Sequence, residues 1–351
     1  MPQSRRYLLI SLCVLLVIGL AWFFMHSTTP EVPEAIKRGY SEALARARAG
    51  QPGAARVLYQ QLARPDISPK RRVWLHAELP NYPSSVALKL ADADLQHEAP
   101  EVRIAAIKSI GGLVPSGQRS LLLGPLLDDS DQSVRLAAVN ALLGLSPDDL
   151  GLYFGPLEQA IDTWQQELKS APESADNHYQ LARLYLHNAE LKEAQQELDQ
   201  TLSLAPDNLP ALVMQIEVLD RQGQSDAARQ LLAKQLKAQP DSAYLQHALG
   251  LWLLHHGQSE FALLGLSKAV ELEPDNKDYR YDLATTLHGE QELEAAQKQL
   301  QEIVQRHPND RKARVLLINY WKESGQLQNV QILLAQLEQQ NPDDPALQQG
   351  L

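Results

Sequence analysis

The sequence predicts an all-α protein built as an α-solenoid of helix-turn-helix repeats, on two periodic patterns and one feature of composition. Six prolines follow one another at intervals of 34 residues: Pro172, Pro206, Pro240, Pro274, Pro308 and Pro342. A second pattern returns after 32 residues nearer the N-terminus. The chain is 44% apolar with only four Phe, and it is rich in Ala, Leu and Gln, which favour helices. Prolines that recur at a fixed period are typical of stacked, similar helical units.

The N-terminal stretch predicts one transmembrane helix ahead of the solenoid. Arg5 and Arg6 precede a run without charges over residues 7–25, which is nearly long enough to cross a hydrocarbon core of about 30 Å. We therefore expect residues 1–6 to be a cytoplasmic N-terminus, residues 7–25 an anchor and residues 26–35 a linker. The alternative is a cleaved signal peptide, whose apolar core is shorter and is followed by a site of A-x-A type.

Charge on the flanks of this segment predicts its orientation. Two arginines before the apolar run favour a cytoplasmic N-terminus. The expected location is then a single-pass protein of the inner (cytoplasmic) membrane, with the bulk of the chain in the periplasm.

Residues 36–155 carry the weaker period. "EVRIAAIKSIGGL" at 101–113 matches "SVRLAAVNALLGL" at 133–145, and "KRRVWLHAEL" at 70–79 is a degraded third copy. This segment resembles HEAT repeats, and the resemblance implies helix pairs in which an Arg and a nearby Asp bridge neighbouring units. The alternative is an unrelated helical bundle.

The stricter period covers the rest of the chain. We expect a single joining helix at 156–174, five units over 175–344 and a tail at 345–351. Each unit has small and large residues at fixed places; in the first unit these are Leu181, Ala182, Tyr185, Ala194, Leu198 and Pro206. The pattern resembles the tetratricopeptide repeat (TPR) family. A proline ends one unit, and the Asp or Asn after it is expected to cap the next helix. Because the tail is short, the last unit is expected to leave an open edge.

Composition and motifs exclude several classes of function. A net charge of −11 disfavours a general nucleic-acid role. The single cysteine, Cys13, excludes a disulfide framework and a cysteine zinc site. The chain lacks HExxH, GxSxG, a phosphate-binding glycine loop and the CxxCH of covalently bound haem. The prediction is a protein that is not an enzyme and binds no cofactor or metal, although an unrecognised enzyme site stays an alternative.

The TPR resemblance also implies where a partner binds. In that family the first helices of the units line a groove, and tyrosine over an apolar floor suits peptide binding. The candidate groove residues are Tyr179, Arg183, Glu217, Tyr244, His247, Tyr281, His288 and Asn319. The alternative is that these tyrosines pack between neighbouring helices and that the charges are merely solvated.

These features predict a membrane-anchored periplasmic adaptor with a protein or peptide partner held in a TPR groove. HEAT-like units, one helix and then TPR units also resemble the non-haem C-terminal half of bacterial multihaem c-type cytochromes. That resemblance suggests a cytochrome or apocytochrome as partner and a link to cytochrome assembly or electron transfer. The alternative is an architectural scaffold of an envelope complex that uses its convex face and ends. Self-association is left open.

Overall fold

The computed structural model describes residues 34–348, apart from the side chains of residues 34–38, 346 and 348. All regular structure in that range is helical. The residues from Ala43 onward form one compact unit, and the packing below concerns that unit. The predicted anchor at residues 7–25 lies outside the described range. Within that range, no helix has both the length and the apolarity that a membrane crossing requires.

The part that precedes the 34-residue array consists of short helices. They are α1 (Glu34–Arg48), α2 (Ala54–Leu62), α3 (Pro69–Glu78), α4 (Ser85–Asp94), α5 (Pro100–Leu113), α6 (Ser116–Leu123), α7 (Gln132–Leu142), α8 (Pro147–Leu150) and α9 (Phe154–Ser170). A 3₁₀ turn at Leu79–Asn81 links α3 to α4.

Arginine–aspartate pairs join successive helices of this part, as the resemblance to HEAT repeats implied. Arg72 on α3 binds both carboxylate oxygens of Asp94 at 2.8 and 2.9 Å. Arg103 on α5 donates to Asp129, just before α7, at 2.7 Å. All four side chains are largely buried, so each cation has its counter-charge within the protein rather than in water.

The 34-residue array forms helix pairs of nearly constant length. The first helices of the pairs are α10 (Ala175–His187), α12 (Leu209–Arg221), α14 (Ala243–His255), α16 (Lys277–Gly289) and α18 (Arg311–Glu323). The second helices are α11 (Leu191–Leu204), α13 (Ser225–Ala238), α15 (Ser259–Leu272), α17 (Leu293–Arg306) and α19 (Leu327–Gln340). A short helix α20 (Pro345–Gln348) follows.

Each first helix is capped at its N-terminus by a side chain two residues after the repeated proline. These caps are Ser174, Asn208, Ser242, Asn276 and Asp310, and each side chain accepts a hydrogen bond from a backbone N–H in the first turn. The expectation that the residue directly after the proline caps the helix is therefore wrong by one position. A residue next to the proline still belongs to the turn, whereas the second one has its oxygen over the unpaired N–H groups.

The turn inside each pair also keeps the 34-residue register. Ala189, Gly223, Gly257, Gln291 and Gly325 all have positive φ. In each case the next residue donates its N–H to a carbonyl in the last turn of the first helix, as Glu190 does to Tyr185 at 2.8 Å. This 6→1 bond defines a Schellman ending, which requires a left-handed residue.

Buried apolar residues pack in clusters that cross from one pair to the next. One cluster joins Ala182 and Leu198 of the first pair to Val218 of the second, and another joins Ala284 of the fourth to Leu317 of the fifth. Neighbouring pairs therefore complete each other's cores, as a repeat stack requires.

Residues 53–83, near the N-terminus, cover the end of the last pair. The expectation of an open edge is therefore wrong at residues 339–344. The Gly53 amide donates to the Gln339 carbonyl at 2.7 Å, and the Asn341 side chain donates to the Pro83 carbonyl at 2.7 Å. Asn309 donates to Glu78 at 2.9 Å. We call this contact between residues 48–83 and 308–344 the seam.

Candidate protein-binding surface

We call the side of the array to which the first helices of the pairs belong the first-helix surface. Between α12 and α14 it contains a groove pocket of about 390 Å³. The walls and floor of the groove pocket are Val213, Ile216, Leu232, Ala248, Leu251 and Trp252, and its polar rim is Glu217, Asp220, Arg221 and His255.

The rim of the groove pocket carries more acidic than basic side chains. Asp220 accepts a hydrogen bond from the Ser225 hydroxyl at 2.5 Å and lies 3.1 Å from His256 Nε2. Glu217 pairs with Arg221 at 2.7 Å along one helix face. Two carboxylates therefore face one arginine, since His255 and His256 carry charge only when protonated.

One polar atom of the residues that line the groove pocket has no partner. The indole nitrogen of Trp252 is buried and has no hydrogen-bond partner among the described residues. The pocket itself combines an apolar floor with an acidic rim.

A second cavity, called here the seam cavity, has a volume of about 450 Å³. One wall belongs to the N-terminal helices and contains Pro80, Asn81 and Gly112. The other wall belongs to the last two pairs and contains Lys277, Asp278, Tyr281, Ile303, Asp310, Arg311, Lys312, Val315, Leu316 and Asn319.

Three of the predicted site residues line these cavities. Glu217 lies at the rim of the groove pocket, and Tyr281 and Asn319 line the seam cavity. Tyr281 also carries the Lys312 ammonium 3.7 Å from its ring centroid. Burial, followed by the charges of Asp310 and Asp282, raises the pKa of Tyr281, so its hydroxyl stays protonated.

Three other predicted residues contact neighbouring helices. His247 lies 2.7 Å from Asp282 of the next pair, and His288 lies 2.6 Å from Glu323 and stacks on Tyr320. Arg183 donates to Asn140 on α7 at 2.9 Å. These contacts tie successive elements together, so a structural role accounts for these three side chains.

Tyr179 and Tyr244 are half-buried on the first-helix surface. Burial raises the pKa of Tyr179, with an opposing effect of Arg183 and a further rise from Asp176. Burial also raises the pKa of Tyr244, and Tyr179 raises it further. Both phenols are therefore neutral hydrogen-bond donors and acceptors near neutral pH.

Sequence reasoning missed the residues that give the cavities their depth. Ile216 lies next to the predicted Glu217, Trp252 is not among the candidates, and Leu232 belongs to a second helix. Pro80, Asn81 and Gly112 come from the other repeat array. Periodicity within one array contains no signal for contacts with another array.

The N-terminal helices contain a hydrogen-bonded series of Asp, His and Ser. His76 lies 2.8 Å from Asp94 and 2.9 Å from the Ser109 hydroxyl, and His76 and Ser109 are each 1% exposed. A hydrolase nucleophile must reach its substrate, whereas the Ser109 hydroxyl is enclosed and also contacts the carbonyl of Ala105. The series therefore joins α3, α4 and α5 and is not an active site.

In the described part of the chain, no three His, Cys, Asp or Glu side chains lie close enough together to hold a metal ion. Adjacent His255 and His256 share only Asp220, at 4.0 and 3.1 Å.

Two family models match the chain. A model described as tetratricopeptide repeat matches residues 264–332, and one described as TT21 fifth ARM repeats domain matches residues 173–273. The ARM match thus lies on the 34-residue array and not on residues 36–155, where the sequence resembles HEAT repeats. Neither model describes a catalytic family.

The chain is also similar to individual proteins. An uncharacterized protein, y4yS of Sinorhizobium fredii (strain NBRC 101917 / NGR234), is 35% identical over 89 residues, which are 25% of this chain and 49% of the relative. The chain thus spans about half the length of that curated relative.

Several solved structures resemble parts of the chain. YrrB, described as a TPR protein with an unusual peptide-binding site, is 22% identical over 54% of this chain and 98% of its own, with a TM-score of 0.36. TTC0263, a thermophilic TPR protein of Thermus thermophilus, is 21% identical over 58% and 98%, with a TM-score of 0.41. Pseudomonas aeruginosa pilF is 23% identical over 56% and 89%, with a TM-score of 0.38.

The described part of the chain is an all-helical stack of helix pairs, and its 34-residue array is similar to tetratricopeptide and ARM repeats. Stacked helical repeats present extended concave surfaces on which partners bind.

Proposed function

We propose that the protein is an adaptor that holds an extended segment of a protein partner along its first-helix surface. The groove pocket carries this proposal. It is deep enough for one large apolar side chain, and its floor is built by three helices whose positions are fixed by the repeat stack. An anchor side chain in such a pocket is the usual centre of a protein interface.

The chemistry of the rim selects the partner segment. Glu217 and Asp220 outnumber Arg221, so a lysine or arginine beside the anchor side chain gains a favourable contact. Tyr179 and Tyr244 continue the same surface with half-buried phenols that can hydrogen-bond a peptide backbone. The partner is therefore expected to present an apolar side chain next to a basic one.

We further propose that the adaptor is held at the inner membrane by residues 7–25, with the solenoid in the periplasm. The support is the uncharged run and the two arginines before it. Protease added to spheroplasts is expected to digest the solenoid and to spare it in intact cells. Digestion only after the inner membrane is broken would contradict this orientation.

A cytochrome or apocytochrome is our proposed partner within that setting. Its support is the resemblance of the repeat order to the non-haem half of multihaem cytochromes, together with the preference of the rim for basic segments. Crosslinking in native membranes followed by mass spectrometry tests it. Recovery of a c-type cytochrome or its haem-free precursor is the expected result, and recovery only of proteins unrelated to electron transfer would contradict it.

The same crosslinking tests the role of the tyrosines. We expect the combined variant Tyr179→Ala, Tyr244→Ala and Tyr281→Ala to lose the crosslinked partner. Retention of an equal amount of the partner would contradict a binding role for these side chains.

An architectural scaffold is the second candidate function, and one observation favours it. Phe261 and Leu264 on the second helix α15 are 61% and 68% exposed and lie one turn apart. Both are exposed apolar side chains that do not line the groove pocket. A scaffold would dock partners there and leave the first-helix surface empty.

A further inference from the structure

The seam cavity is lined by three cations, Lys277, Arg311 and Lys312, and by two carboxylates, the exposed Asp278 and the buried Asp310. Arg311 binds both carboxylate oxygens of Asp344 at 2.6 and 2.7 Å, and the Asp344 side chain is fully buried. Lys277 pairs with Asp310 at 2.6 Å, and here too the carboxylate is buried while the lysine is half-exposed.

Lys312 adds a third cation to the same wall. It is exposed and its ammonium lies over the Tyr281 ring, which positions the charge at the edge of the cavity. Asp278 is the exposed carboxylate of the lining, so three cations stand against one exposed carboxylate. Asn81 and Asn319 supply amide groups from the two opposite walls.

We propose that the seam cavity binds a run of acidic side chains, Asp or Glu, of a protein partner. Cations with buried counter-charges are pre-positioned, and a carboxylate that enters forms charge-assisted hydrogen bonds with little reordering of the site. The whole chain has a net charge of −11, so the attraction is local and acts at short range. The inference takes from the proposed function only that the partner is a protein.

The seam has a role in this binding, because the contact between the two arrays forms the cavity. Neither repeat array forms this cavity alone, because Asn81 and Gly112 complete the wall opposite Lys312 and Tyr281. The site therefore exists only while residues 48–83 stay packed on the last two pairs.

Fluorescence anisotropy with a labelled, amidated hexaglutamate peptide tests the proposal, with hexaglutamine as the matched peptide. We expect the full-length protein to bind hexaglutamate at least tenfold more tightly than hexaglutamine, and Lys312→Glu to weaken this binding at least fivefold. Asp278→Asn is expected to tighten binding twofold to threefold, because it removes the exposed carboxylate. Circular dichroism of each variant establishes that it is folded.

Two further variants separate the seam cavity from other surfaces. Asn81→Glu puts a carboxylate on the opposite wall and is expected to weaken binding about as much as Lys312→Glu. Lys298→Glu makes the same charge change at an exposed position of α17 outside the cavity, and it is expected to change binding less than twofold.

Four results would overturn the proposal. They are equal affinity for the two peptides, an equal loss in Lys298→Glu, no effect of Asn81→Glu, and displacement of the peptide by millimolar inorganic phosphate, which would define a small-anion site instead. The peptide needs neither the natural partner nor the groove pocket. A failure here is thus distinguishable from a failure of partner capture at the first-helix surface.

Discussion

Asn341 donates a hydrogen bond from its side-chain nitrogen to the carbonyl of Pro83 at 2.7 Å, across 258 residues of chain. Asn341 is 1% exposed, so the bond is shielded from water. Gly53 and Gln339 form a second bond between the same segments at 2.7 Å. These hydrogen bonds join residues 53–83 to the end of the last helix pair.

Removal of the Asn341 amide should loosen the seam. In Asn341→Ala the Pro83 carbonyl loses its partner, and we expect the free energy of unfolding to fall by about 1–3 kcal/mol. Hydrogen exchange at the Gly53 amide should accelerate in the same variant, because that amide is bonded across the seam. Gln328→Ala, at an exposed position of α19, is the control and should change neither quantity. Unchanged exchange at Gly53 in Asn341→Ala would contradict a cooperative seam.

Glycine at the two turns that lack it should stabilise the protein. Ala189 and Gln291 have φ of 58° and 65° at the position where other turns have glycine. A left-handed conformation costs a residue with a Cβ about 1 kcal/mol more than it costs glycine. We expect Ala189→Gly and Gln291→Gly each to raise the unfolding free energy in urea by about 0.5–1 kcal/mol.

Gly257→Ala is the converse test at the same place in the third pair, where φ is 69°. It should lower the unfolding free energy by about 1 kcal/mol. If introducing glycine at 189 and 291 and removing it at 257 changed the unfolding free energy by the same amount and in the same direction, the left-handed turn would not limit stability. The same would follow if Ala189→Gly and Gln291→Gly both destabilised the protein.

Acid should release the buried pairs of the N-terminal helices. Burial alone would raise the pKa of the Asp94 carboxyl, but hydrogen bonds from His76 and Arg72 outweigh it and lower that pKa. A lowered pKa contributes stability that is complete above the unfolded-state value of about 3.9 and is lost as pH falls through the native value.

Asp94→Asn should therefore lower the free energy of unfolding by about 3 kcal/mol at pH 7, because Arg72 and His76 lose their carboxylate. The difference between wild type and variant should shrink in urea titrations below about pH 4. Asp66→Asn, at an exposed ion pair with Arg64, is the control and should show no measurable change. A difference that persists undiminished at about pH 3 would contradict this role of the Asp94 charge.

Periodicity predicted much of the fold, and it did so through specific residues. The repeated prolines located the helix pairs, and the Arg–Asp bridging that the HEAT resemblance implied is present at Arg72–Asp94 and Arg103–Asp129. The helix caps were predicted directly after the proline but lie two residues after it. The residue next to the proline still belongs to the turn, and a residue pattern does not show how long that turn is.

The candidate site was predicted only in part, for a physical reason. Repeat position predicted Glu217, Tyr281 and Asn319 as groove residues; Glu217 lies at the rim of the groove pocket, whereas Tyr281 and Asn319 line the seam cavity. Asn341 and Pro83 form the seam through one side-chain amide and one backbone carbonyl, and neither group has a periodic or compositional signal. Trp252 was missed because a tryptophan at an inward position of a repeat helix is usually buried core.

The groove pocket should be sensitive to charge at its apolar floor. Leu251 is 42% exposed at the mouth of the groove pocket. Leu251→Asp puts a carboxylate where an apolar side chain is expected, and we expect partner capture to fall at least tenfold with no change in the unfolding midpoint. Leu264→Asp, on the opposite helix of the pair, is the matched control. A greater loss of capture in Leu264→Asp would favour the scaffold.

The most direct test of the adaptor function is site-specific photocrosslinking in native membranes. A benzophenone amino acid replaces Leu251 in one variant and Leu264 in a second, and crosslinked proteins are identified by mass spectrometry. We expect a defined partner to be crosslinked from position 251 and to be absent from position 264, with the crosslinked peptide containing a basic residue. A partner crosslinked from position 264 and absent from position 251 would contradict it and place the interaction on the second helices.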